Sequence, residues 1–179
     1  MALILEAQER HQTLLAVARQ MMTAARTAPK ARGVDNLEIG LLDKPELELL
    51  ARKMVELVER GMAAPFFERD AANLLAAEAA VLIGTKIHPM GLKYCGLCGF
   101  SDCGVRDGHP DNPCVFNTGD LGIAVGSAVS VAMEARVDNR IMYSAGMAAR
   151  DLKLLGDDIQ IIYCIPLSCT GKNPFFDRK

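Results

Sequence analysis

The sequence predicts a mixed helix-and-sheet domain with helices on both faces of a central sheet, and three observations carry that prediction. AAVLIGTK at 79–86 and DIQIIYCIPL at 158–167 are continuous apolar runs of strand length, a pattern that calls for cover on both faces. Around them lie segments whose apolar residues recur at the three- and four-residue steps of a helix. The chain has 179 residues, 50% of them hydrophobic, enough to bury most of its unfolded surface in one compact domain.

The elements follow in order. Over about 3–25, Leu14, Leu15, Val17, Ala18, Met21, Met22 and Ala25 recur at helical spacing. Pro29 disfavours helix at the residue before it, and Gly33 permits a turn. Residues 37–42 read as a short strand; Asp43 offers an N-cap and Pro45 an early helical position for a helix over 44–60. An Ala-rich helix over 66–77 begins after Pro65 and runs into the buried strand ending at Gly84, which the cysteine loop follows. From 118 or 119 to 135, GDLGIAVGSAVSVAMEA is apolar on almost all sides and predicts a buried helix, with Gly122, Gly126 and Ala128 allowing close backbone approach. RIMY at 140–143 reads as a short strand, AGMAARDLKLL at 145–155 as a helix, 158–167 as the last buried strand and TGKNPFFDRK as an irregular tail. The organisation is one domain over 1–179 carrying a cysteine-rich insertion over 88–117.

The chemistry concentrates in that insertion. Cys95, Cys98, Cys103 and Cys114 stand with two, four and ten residues between them, and glycine follows each of the first three. Four closely spaced thiolates in a glycine-rich loop can wrap a four-iron cluster, because the backbone turns tightly and its N–H groups can face the sulfides. The spacing differs from the two-two-three run of small bacterial ferredoxins and lacks the paired knuckles of a zinc ribbon. A 4Fe-4S cluster, a structural zinc ion and free thiols are the three readings of this ligand set. His109 lies inside the loop and reads as a surface residue beside Pro110.

Other features bound the function classes. Net charge is −2 with acids and bases interspersed, which argues against nucleic acid as a partner. All six cysteines fall between 95 and 169 in a chain without a basic leader, so reduced thiols in the cytoplasm are expected rather than a disulfide framework. The most apolar stretch, 121–133, falls short of the roughly 20 residues of a membrane span. Cys164 reads as a buried small hydrophobe, and Cys169 as that or as a redox-active thiol near the cluster loop. Arg26, Lys30 and Arg32 could meet a phosphate or carboxylate but alone read as a solvated basic face, as do Lys172, Arg178 and Lys179. His11 and His88 read as structural or exposed.

The pattern A-x-x-AP-x-ARG at 25–33, the run DLGIAVGSAVSVAMEA and the ending IIYCIPLSCTGKNPFFDR resemble the uncharacterised ferredoxin-domain proteins, whose outer parts are similar to flavin-dependent nitroreductases. The resemblance covers nearly the whole chain. It implies an α+β three-layer sandwich interrupted by a ferredoxin-like insertion, and a homodimer with FMN at the subunit interface and a central helix, here 119–135, across the two-fold axis. Nitroreductases carry an arginine-rich segment near the start that holds the FMN phosphate, and this chain has none. APKARGVDN resembles the Ala-Pro-Ser-Ala loop that lies against the isoalloxazine, leaving Lys30 and Arg32 as the cations available to FMN. The expectation is an iron–sulfur electron-transfer protein, coupled to a flavin as an oxidoreductase, with an unidentified redox partner. The alternative is a zinc-stabilised scaffold that has lost its flavin.

Overall fold

The computed structural model describes residues 3–176. Along the chain run α1 (Glu6–Thr27), a 3-10 turn (Ala31–Gly33), β1 (Leu37–Leu42), α2 (Lys44–Glu59), α3 (Phe66–Leu75), β2 (Ala79–Lys86), α4 (Cys103–Asp107), α5 (Val115–Glu134), β3 (Asp138–Asn139), α6 (Tyr143–Asp151) and β4 (Ile159–Ser168). The strands form one antiparallel sheet in the order β1-β2-β4-β3.

Side-chain alternation along the central strands divides the core in two. Ala80 and Leu82 of β2, with Ile162 and Cys164 of β4, face α2, α3 and α6. Ala79, Val81, Ile83, Ile165 and Leu167 face α1 and α5. This is the three-layer arrangement expected from the sequence, and it explains why β2 and β4 are apolar at nearly every position: neither face meets water.

Local chemistry sets several boundaries. α1 stops at Thr27 because Ala28, the residue before Pro29, is extended at φ −54°, ψ 139°. Asp43 caps α2 by accepting from the Lys44 amide at 2.8 Å, with Pro45 in the first turn. The tail folds back on the body: Phe175 is 1% exposed within the α2–α3–α6 core, and its carbonyl accepts from Arg140 Nη1 at 2.9 Å.

Three expectations are corrected. RIMY is not a strand; Arg136 turns the chain with φ 59°, so Asp138 and Asn139 already pair with Ser168 and Leu167. Only Met142 then bridges to Cys164, and Tyr143 opens α6. That helix ends at Asp151 rather than near 155, where Lys153 at φ 55° and Gly156 at φ 110° reverse the chain. α5 begins three residues before the expected Thr118 and is not buried all round. Leu121, Ala124, Val125, Ala128 and Ala132 enter the core, whereas Gly119, Gly122, Ile123, Gly126 and Met133 lie on an open face. By length and composition α5 is the one described helix able to cross a membrane, but its buried stripe packs against α1 and the sheet.

Candidate functional site

The four cysteines of the loop come together. Cys95, Cys98, Cys103 and Cys114 all line one small pocket between the end of β2 and the start of α5. Pro89, Met90 and Leu92 wall it from the segment after β2, and Val115 and Phe116 from the first turn of α5. Cys95, Cys98 and Cys103 are half-buried, Cys114 is buried, and all are free thiols. Among the described residues, no three His, Cys, Asp or Glu side chains are gathered as for a single metal ion.

Local folding explains the convergence. Gly96 sits at φ 84°, where a side chain would be strained, and its carbonyl accepts from the Gly99 amide at 3.1 Å, so the CGLC segment turns back on itself. Asp102 then starts α4, its Oδ1 accepting from the Val105 amide at 2.9 Å and its Oδ2 from Ser101 Oγ at 3.2 Å. The Val105 amide, then Ser101, hold the Asp102 carboxyl below its ordinary pKa. This cap places Cys103 at the first position of α4. Cys114 is the N-cap of α5, at the positive end of a 20-residue helix. His109 packs on Phe100 with ring centroids 4.9 Å apart at the loop surface.

A second loop braces this pocket. Arg32, in the left-handed region at φ 55°, donates from Nη1 to the Met90 carbonyl at 2.6 Å. The Ala31 amide donates to both carboxylate oxygens of Asp120 in α5, at 3.1 and 3.0 Å. The His88 amide donates to Asn117 Oδ1 at 2.9 Å, while the buried Asn117 Nδ2 has no partner among the described residues. Lys30 turns inward: its Nζ donates to the carbonyls of Ala25, at 2.9 Å, and Arg26, and stands 3.8 Å from Asp35. It closes the C-terminal end of α1, with its side chain 5% exposed. Arg26 pairs with Asp35 at 2.7 Å.

The other residues singled out in the sequence lie apart from the pocket. Cys164 is fully buried in the sheet, and burial pushes its thiol pKa far up, which keeps it protonated and inert. Cys169 is exposed beside Arg10 and Val17 of α1, in a separate groove, which corrects the second of its two readings, a redox-active thiol near the cysteine loop. His11 stands between Asp43 at 3.4 Å and Glu78 at 3.7 Å. Lys172 lies on the tail turn, its carbonyl accepting from Thr170 Oγ1 at 2.6 Å; Arg178 and Lys179 fall outside the described residues. Sequence reasoning missed Arg106, Asn117 and Asp120. An acid isolated in the apolar run GDLGIAVG was the available signal for Asp120.

The fold is that of the nitroreductases. A nitroreductase family protein from Clostridium novyi NT superposes with TM-score 0.58 at 10% identity, over 86% of this chain and 73% of its own. An FMN-dependent nitroreductase from Clostridium difficile R20291 gives 0.56 at 14%, over 88% and 76%. A BluB-like flavoprotein from Clostridium difficile 630 gives 0.54 at 19%, over 88% and 84%. Residues 111–178 match the family described as uncharacterized protein containing a ferredoxin domain (DUF2148). An uncharacterized protein of Archaeoglobus fulgidus is 41% identical over 165 residues, 88% of either chain. The chain belongs to this ferredoxin-domain family.

Proposed function

We propose that this chain is a cytoplasmic iron–sulfur electron-transfer protein in which Cys95, Cys98, Cys103 and Cys114 hold a 4Fe-4S cluster. The observation that carries the reading is that all four thiols line one pocket, although nineteen positions of chain separate the first from the last. The donor set suits the group: four soft thiolates, with Met90, Val115 and Phe116 limiting water on one side and half-buried thiols on the other. When bound, such a cluster supplies one-electron transfer at a potential set by its charge, hydrogen bonds and exposure.

A flavin coupled to this centre is the finer form of the reading, and Lys30 does not fit as its phosphate anchor. Its ammonium is already surrounded by Ala25 O, Arg26 O and Asp35. Arg32 is an exposed residue that braces Met90 through Nη1. The alternative is a zinc-pinned scaffold without flavin; the engagement of Lys30 bears on the flavin alone, and metal analysis decides between zinc and iron. Protein purified without air is expected to be brown, with about four irons and four sulfides per chain. Stoichiometric zinc without iron overturns the cluster; a yellow protein would restore the flavin.

We also infer a homodimer packed along the open face of α5, where Ile123 is 48% and Met133 63% exposed beside Gly119, Gly122 and Gly126. Ile123→Arg is expected to convert the dimer to monomer in sedimentation velocity with unchanged far-UV circular dichroism. A wild-type monomer at tens of micromolar removes this part of the proposal.

A further inference from the structure

We propose that Arg106 is the charge partner of the four-thiolate centre, stabilising its electron-rich state and holding its loop closed. The inference rests on the iron–sulfur reading above. Arg106 belongs to α4, is 4% exposed, and lines the same pocket as Cys95, Cys98, Cys103 and Cys114.

Its three nitrogens are used unequally. Nε donates to the Asn112 carbonyl at 3.1 Å, and Nη2 donates to that carbonyl and to Pro110 O at 3.4 Å. This fork ties α4, which begins at Cys103, to the turn that leads into Cys114. Nη1 is paired only loosely: Asp107 Oδ1 stands 3.8 Å away on a side chain that is 60% exposed. A cation buried this deeply is costly without a close counter-charge, and a solvent-screened carboxylate at that distance compensates little of it.

The pocket supplies the missing charge when its four sulfurs act as ligands. Four neutral thiols do nothing for the guanidinium, whereas four ligating thiolates place negative charge on the wall that Arg106 shares. Uptake of one electron from a soluble one-electron donor, with no bond made or broken and no proton moved, adds a further negative charge beside Arg106. The guanidinium favours that reduced state, so Arg106 raises the potential of the centre as well as fixing the distance between its ligand-bearing segments.

Wild type, Arg106→Gln and Arg106→Lys, purified without air, are compared for iron content and for midpoint potential in a dithionite titration with mediator dyes. Arg106→Gln is expected to shift the oxidised–reduced equilibrium at least tenfold toward oxidised, ~59 mV for one electron. Arg106→Lys, which keeps the charge and loses the fork, is expected to recover most of that shift while losing iron faster to a chelator. A wild-type potential in Arg106→Gln at full iron content overturns the proposal. If the Gln variant cannot retain iron, a Lys variant equally devoid of iron overturns the charge role, and one that retains it supports that role. If wild type carries zinc and no iron, the iron–sulfur reading fails by itself. Zinc loss to a chelator then decides for Arg106: equal rates in all three proteins overturn its role, and faster loss in the Gln variant with rescue by Lys supports it.

Discussion

Gly146→Ala is expected to destabilise the fold by about 3 kcal/mol or more, at or beyond the top of the usual overpacking range, and to lower the melting temperature by roughly 6–12 °C. Gly146 lies in α6 where that helix presses on β4. A methyl at its Cβ position would stand 1.8 Å from the Ile162 carbonyl oxygen, 2.7 Å from the Ile162 carbonyl carbon and 3.2 Å from Tyr163 Cα. All three are backbone atoms of a central strand, so no rotamer change relieves the clash; the helix must lift off the sheet. Lifting it would disturb the buried contacts of Ala145, Ala148 and Ala149 and the hydrogen bond from Ser144 Oγ to Asp70 Oδ2 at 2.6 Å. Gly84→Ala is the milder comparison, because its closest contacts, at 2.5 and 2.9 Å, are with Ile159 and Ile162 side-chain carbons, and the one backbone atom it meets, the Ile161 carbonyl oxygen, stands at 3.1 Å rather than 1.8 Å. Urea midpoints of the two variants measure the difference, and a Gly146→Ala midpoint equal to that of wild type would show that α6 does not sit this close.

What was legible in the sequence, and what was not, follows from which interactions each feature depends on. β2 and β4 are recognisable because burial on both faces forces an unbroken apolar run, a signal written entirely within the strand. β3 is not, because its two residues are strand only by virtue of the turn at Arg136 and the partner Ser168. α5 misleads for a related reason: small and apolar residues look alike whether they face the sheet or an open side, so the exposed Gly119–Gly122–Gly126 face is invisible in composition. At the site, cysteine spacing announces the four thiols, but the residues that frame them depend on tertiary burial. Lys30 looks like a free cation beside Arg32 and is spent on the end of α1. Arg106 looks like one more surface charge and is almost fully buried at the pocket wall.

Cys114→Ser separates loss of the centre from loss of the fold. The thiol of Cys114 makes no capping hydrogen bond to α5, and serine is among the preferred N-cap residues, so the apo protein is expected to be as stable as wild type or about 1 kcal/mol more stable. The hydroxyl is nevertheless a poor substitute for a thiolate toward iron, because it is harder and stays protonated at neutral pH. The expected result is therefore a colourless or strongly bleached protein, with most of the iron gone and an unchanged or raised urea midpoint. Cys98→Ser, in the same pocket, is expected to bleach in the same way, whereas Cys169→Ser, in the separate groove beside Arg10, is expected to stay brown. Absorbance and iron analysis of the three variants, each read against its own unfolding curve, check the assignment. A brown Cys114→Ser with full iron would move the fourth ligand elsewhere, while bleaching of Cys169→Ser would mean that the segment after β4, rather than the start of α5, closes the site.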